Sequence, residues 1–287
     1  MSALGAGRRK TSRVASFAAG AALLCGSMLA GESASAGDAK KITAEYSINF
    51  NGLGIGTFKL WSDLDSKEYS VKARANISLL AGILFEWQGD TASSGQVMAR
   101  LPRPYSYSFG YRTTDKRETI DVKFANNSVE EIAVNPPARQ SPQRIPVTRK
   151  HMRNVVDPLS AIVMLANVGT NKTGSEVCSR RLPIFDGKQR YDLKLTYKGT
   201  KRVTSDSYSG QAYICKVKFL PIAGHRPGDD STFAAKTETM EVWMIPLAKA
   251  ELYVPYYIFF PTPVGDATLT ASGFNVENGQ ARRALVQ

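Results

Sequence analysis

Beyond the first 36 of its 287 residues, the chain offers few side chains suited to chemistry: two histidines, His151 and His225, and two cysteines, Cys178 and Cys215. His225 opens the run His225-Arg226-Pro227-Gly228-Asp229-Asp230, where an imidazole with carboxylates close by could ligate a metal or act as an oriented general base. The spacing fits no strong metal motif, so no metal site and no cofactor is assigned. A Ser-His-Asp triad needs no neighbours in sequence, yet nothing singles out a serine: there is no H-E-x-x-H, no nucleophile elbow and no phosphate loop. No catalytic residue is assigned. One enzymatic alternative stays open, an envelope hydrolase using His225 with Asp229 or Asp230. His151 reads as part of a solvated basic loop.

The cysteines favour structure over redox chemistry. They lie nearly forty residues apart with no C-x-x-C spacing to tune either thiol, so a Cys178–Cys215 disulfide is expected in an oxidising compartment. The start of the chain names that compartment. Arg8, Arg9, Lys10 and Arg13 precede a small, apolar run from Val14 to Ala30, and Ala34-Ser35-Ala36 fits a cleavage site. Residues 1–36 are read as a signal peptide cut after Ala36, with export to the periplasm. The rival reading, a retained anchor, meets a run that is short and rich in Ala, Gly and Ser.

Removing 36 of 287 residues leaves 251, within the range of one all-β domain. The leader holds four of the 37 basic residues and one of the 25 acidic ones, so the remainder carries 33 against 24, a charge of +9. Such a surface favours lipid head groups, acidic glycans or an acidic protein, although scattered basic residues also fit simple solvation. No nucleic-acid signature is present.

The elements that must position these groups are mostly strands. Ile42, Ala44, Tyr46, Ile48 and Phe50 alternate with polar residues, as a half-buried strand requires. The glycine-rich run Asn51 to Gly56 leads into another strand rather than a helix, so it is read as a hairpin turn and not a phosphate loop. Alternation returns from Tyr69 to Ile77, and Glu86 to Val97 reads as a further strand. Tyr105, Tyr107, Phe109 and Tyr111 are expected on one face. Strands follow at Ile120 to Phe124 and Ile132 to Val134, turned by Asn126-Asn127-Ser128. Pro136, Pro137, Pro142 and Pro146 mark a crossing loop. Later strands are expected over Val177 to Asp186 (carrying Cys178), Tyr191 to Tyr197, Tyr213 to Phe219, Met240 to Ile245, Val254 to Phe260 and Ala267 to Phe274, about twelve in all. Leu79 to Phe85 breaks the pattern as a short helix, a corner, or a hydrophobic lip for peripheral membrane contact.

Asp157 to Val168 is the one convincing helix. Asp157 can cap it, Pro158 suits its first turn and Gly169 its exit. Leu159, Ile162, Val163 and Ala166 form an apolar stripe that Met164 and Leu165 widen, so the helix demands cover on most sides. The expected fold is mainly β: a strongly curved antiparallel sheet, a β-spiral or half-open barrel, wrapped around this apolar α-helix. One β-rich domain spans 37–276, and 277–287 forms a flexible tail.

Several motifs carry a resemblance. The opening I-x-A-E-Y-S-I-N-F-N-G-L-G-I-G-T-F, the D-P-L-S-A at Asp157, F-D-G-K-Q-R-Y-D-L from Phe185, Y-x-G-x-A-Y-x-C to Cys215 and P-I-A-G-H-R from Pro221 resemble bacterial exported proteins grouped as domain of unknown function thirty-one-hundred-and-eight. The likeness spans roughly residues 42–276. It implies a proteobacterial periplasmic protein without an established reaction and carries over no catalytic residue. More distantly, strands curling round a helix are similar to periplasmic lipoprotein-carrier and envelope-integrity β-spiral proteins, which bears on fold alone.

A curved sheet with a helical plug either packs solid or leaves an apolar cavity. The expected function is a non-enzymatic, carrier-like protein for a hydrophobic ligand or envelope partner (a lipid or lipoprotein), supporting envelope integrity. Tyr105, Tyr107, Phe109, Tyr111, Leu159, Ile162, Tyr256 and Phe260 are the candidate ligand-facing residues. A solid-core interaction scaffold is the remaining alternative.

Overall fold

The computed structural model describes residues 39–79, 85–137, 141–167, 172–228, 230–248 and 251–279. The expected leader, Gly169 and Leu80 to Leu84 of the apolar run lie outside them. The described residues build one antiparallel meander: β1 (Ala39–Phe50), β2 (Leu53–Leu64), β3 (Glu68–Leu79), β4 (Phe85–Gln96), β5 (Arg103–Thr113), β6 (Arg117–Ala125), β7 (Ser128–Asn135), β8 (Arg180–Phe185), β9 (Arg190–Ser205), β10 (Tyr208–Ala223), β11 (Glu241–Leu247), β12 (Leu252–Thr262) and β13 (Gly265–Gly279). In the single thirteen-stranded sheet they follow sequence order, save that β13 pairs with β1 and so joins the two halves of the chain.

Local chemistry explains the turns. Asn51 and Gly52 both take positive φ, as a two-residue hairpin with right-twisted strands demands, and Asn126 and Asn127 do the same between β6 and β7. On β3, Tyr69, Val71 and Ala73 are buried while Ser70, Lys72 and Arg74 are exposed, the expected period of two.

Helix α1 (Pro158–Ala166) has Asp157 as its cap, which accepts hydrogen bonds from the Leu159 and Ser160 amides at 2.9 and 3.0 Å. It packs against β3, β4, β5, β8 and β12, and Leu159, Ser160, Ala161, Val163, Leu165 and Ala166 are buried. Two short helices go beyond the expectation: α2 (Gly174–Cys178) and α3 (Asp230–Lys236), with a 3-10 turn at Arg149–Met152. Cys178 thus ends a helix instead of starting a strand. Thr173-x-x-Glu176 starts that helix, with the Thr173 amide donating to Glu176 Oε2 at 3.0 Å. Strand β13 runs to Gly279, three residues past Val276, where the domain was expected to end, with Glu277 paired to Lys41.

The edge strands β7 and β8 do not pair, so the sheet is not closed into a barrel. A linker bridges them instead. The Val155 amide donates to Asn127 O at 3.0 Å, just before β7, and the Val156 amide donates to Pro183 O at 2.9 Å on β8. Phe185 returns a bond to Val156 O. The proline-rich connection is tied down by Ile145, whose amide donates to His225 O at 3.0 Å and whose carbonyl accepts from Gly224 at 2.7 Å.

Candidate functional site

Packing divides the expected ligand-facing residues among separate places. Tyr107 is buried beside Ile120, Val122, Phe124, Val155 and Phe185, with Phe109 against the same cluster. Tyr111 stacks on Trp87 at 6.2 Å. Tyr105 does not share their face: Gly95 opposes Pro104 and Ser94 opposes Ser106, so Tyr105 is the extra residue of a β-bulge, 44 % exposed, its hydroxyl 3.3 Å from Glu68. Leu159 and Ile162 face β1, β2 and β3, Tyr256 packs with Tyr46 and Val254, and Phe260 is 42 % exposed on the surface. The eight residues therefore do not line one cavity.

Of this set, Ile162 lines the apolar cavity that the fold does contain. The cavity has a free volume of about 70 Å³ between Ile162, Val163 and Ala166 of α1 and the inner faces of β1, β2, β3, β12 and β13. Ile42, Leu60, Leu252 and Val254 contribute to its walls, and Ser62 and the Tyr46 ring are its polar-bearing members. It lies along a seam. Strands β12 and β13 pair only between Tyr257–Thr262 and Gly265–Thr270. Beyond Tyr257, β12 keeps β11 alone, and beyond Thr270, β13 keeps β1 alone. Two bulges face this point: Tyr256 is the extra residue against β11 and Ser272 the extra residue against β1. Each bulge sharpens the local twist, so the strands turn away from one another, and Pro255 brings no N–H to either neighbour. Tyr46 crosses the seam, its hydroxyl donating to Pro255 O at 2.9 Å. Burial pushes the Tyr46 phenol far above its ordinary range, which keeps it a neutral donor. At the outer end Lys40 pairs with Glu251 at 2.7 Å.

Sequence reasoning missed a buried polar cluster at the start of α1. Asp157, Ser160, Ser93 and Tyr69 are all buried. Asp157 Oδ1 accepts the two backbone amides, while Oδ2 accepts Ser93 Oγ at 2.9 Å and the Ser160 hydroxyl. Each serine has one proton and spends it on the carboxylate, so Tyr69 must donate to Ser160 Oγ, at 2.5 Å. Burial pushes the Asp157 pKa upward, and the four donors oppose that in part. The cluster pins the helix to β3 and β4. None of its four residues lines the apolar cavity beside α1, and their hydrogen bonds fasten the helix to the sheet. The Ser and Tyr hydroxyls sit on different elements, and no spacing in the sequence marks their meeting.

His225 is buried with its Nδ1 lacking a hydrogen-bond partner. Asp229 and the side chain of Asp230 lie outside the described residues. Among the described residues no group of three or more His, Cys, Asp and Glu is placed to hold a metal, and no helix is long and apolar enough to cross a membrane. The disulfide does form: Cys178 and Cys215 are bonded, both fully buried, with Cα atoms 5.2 Å apart. A second, open cleft of about 960 Å³ lies between the β6–β7 end, the proline-rich loop and Phe185 to Lys188.

No curated protein matches the chain. The crystal structure of a β-barrel-like protein of domain of unknown function DUF1849 from Brucella abortus superposes with a TM-score of 0.47 and 8% identity, covering 85% of this chain and 99% of that one. A likeness of that degree carries no argument. Residues 45–272, most of the chain, match the family model described as Protein of unknown function (DUF3108), and the chain belongs to that family.

Proposed function

We propose that this is a non-enzymatic binding protein, exported to the periplasm by residues 1–36, that takes up a hydrophobic ligand or envelope partner and supports the cell envelope. The sheet is read as curving round α1, with the gap beside the helix as the binding space. The observation that carries the reading is the apolar cavity between α1 and five strands. At about 70 Å³ it is smaller than the roughly 300 Å³ of a small ligand site, so it must widen on binding. Each methylene then buried contributes about 0.8 kcal/mol. The run Leu79 to Phe85 is proposed as a membrane-facing lip; Phe85, 42 % exposed, supports this.

Native mass spectrometry of protein purified from the periplasm, with titration of a fluorescent lipid, tests the reading. Co-purified lipid or saturable binding is expected. An empty and unresponsive protein would sink it. A second reading, an interaction scaffold, is favoured by the outer edge of β7, which beyond its Ser128 bridge to Arg153 pairs with no strand among the described residues and lies beside the open cleft. Pull-down of a protein partner without lipid, lost on Val134→Pro in β7, would point there. The hydrolase using His225 gains no support from the described residues.

A further inference from the structure

We infer that the apolar cavity is entered sideways, between β12 and β13, and that its occupant is the single hydrocarbon chain of an anionic amphiphile such as a fatty acid. This rests on the hydrophobic-ligand reading above and adds the route and the ligand class. Most neighbouring strands are joined by a long ladder of backbone hydrogen bonds; β10 and β11, paired only over Tyr213–Lys216 and Glu241–Met244, and β12 and β13 are joined over short stretches. Along Leu252–Tyr256 there is no such ladder to β13. Bonds that cross there include Tyr46 to Pro255 and the pair Lys40–Glu251, whose carboxylate side chain is 74 % exposed. A largely solvated ion pair is worth little in water, and one neutral hydrogen bond is modest, so along the cavity no backbone ladder opposes parting of these two strands. The seam spans five residues, roughly 16 Å at about 3.3 Å per residue, a slot for an extended chain rather than a bulky ring.

The chemistry of the two ends differs, and that selects the ligand. Ile42, Leu252, Val254 and Ala166 line the cavity beneath the seam. Lys40 stands at the outer end, where Glu251 already supplies a carboxylate to its ammonium. A ligand carboxylate or phosphate can take over that role as its tail enters, and the net positive charge of the chain favours the same sign. Tyr46 is then the latch: its hydroxyl must leave Pro255 O for the strands to part.

The test uses the full chain and cis-parinaric acid, an unbranched polyene fatty acid, with its methyl ester as the uncharged control. Ala166→Phe, which fills the cavity from α1, is expected to weaken acid binding by about tenfold or more. Tyr46→Phe is expected to speed both uptake and release in stopped-flow traces, by several-fold. Glu251→Gln should tighten the acid without tightening the ester. Should Ala166→Phe fail to fold, the rates of Tyr46→Phe still decide. If wild type binds the acid but all three variants behave like it, ligand binding stands and this route is wrong. If wild type binds neither probe, both readings fall. Anionic phospholipid vesicles offered in competition separate the sources: transfer of the probe's site to phospholipid marks a membrane lipid as the natural supplier, and persistence of the bound acid marks a free fatty acid.

Discussion

At the scale of single residues, Asp157 shows how one side chain can fasten an element. It caps α1 and is also the acceptor for Ser93 and Ser160, so it ties the helix to β4, and Tyr69 extends the tie to β3. Asp157→Ala removes the cap and strands buried hydroxyls; a loss of about 3 kcal/mol in urea unfolding is expected. The pH dependence has a definite sign. Burial raises the folded-state pKa above the unfolded value of about 3.9, so this group's contribution is fully present below that value and is lost as pH rises through the folded pKa. Wild-type stability measured against Asp157→Asn should therefore fall from about pH 4 towards neutrality. A difference that grew with pH would mean that the four donors outweigh burial. The capping role was legible in Asp157-Pro158; the serine and tyrosine partners were not, because residues 69, 93 and 160 meet only when three distant segments pack.

At the scale of elements, the disulfide joins the end of α2 to β10. Closing that loop is worth about 4 kcal/mol in the chain-entropy model. Thiol labelling of denatured, unreduced protein lacking the first 36 residues should find no free cysteine, and reduction should lower the urea midpoint to match. A loss well below that figure would mean that the reduced chain keeps the loop ordered. The position of Cys178 was misread as strand although Thr173-x-x-Glu176 signals a helix start. Five residues are too short for a visible apolar period, and only the cap betrays such a helix. Gly174 is required there: a Cβ would stand 2.5 Å from the Tyr197 ring and 2.6 Å from Tyr213. The aromatic face of β5 was read correctly from Tyr107 to Tyr111, but the bulge turned Tyr105 outward. A one-residue slip in pairing reverses a side chain's direction and leaves no mark in composition.

At the scale of the whole sheet, the linker before α1 does what strand pairing does in a barrel. Val155 and Val156 bond to the turn before β7 and to β8, joining two edges that never meet. Val156→Pro deletes a buried amide donor to Pro183 and is expected to cost about 2 kcal/mol or more, with early amide exchange in β8. Unchanged exchange there would show that the edge holds without the linker. The long crossing loop, read from its prolines, is anchored by contacts to Gly224 and His225 that no local pattern announces. There Gly224 takes positive φ, and a Cβ would fall 2.1 Å from Lys188 O.

The amino-acid order alone determined the mainly β architecture, the hairpins at Asn51-Gly52 and Asn126-Asn127, the capped apolar helix and the sulfur bridge. All of these follow from period, turn chemistry and composition, which act between near neighbours. Tertiary structure decided where β12 leaves β13, which hydroxyls surround Asp157, and that an apolar space remains beside α1. Those features arise from register and packing between residues as much as 209 positions apart, as between Tyr46 and Pro255, and such distances are closed only by the folded sheet.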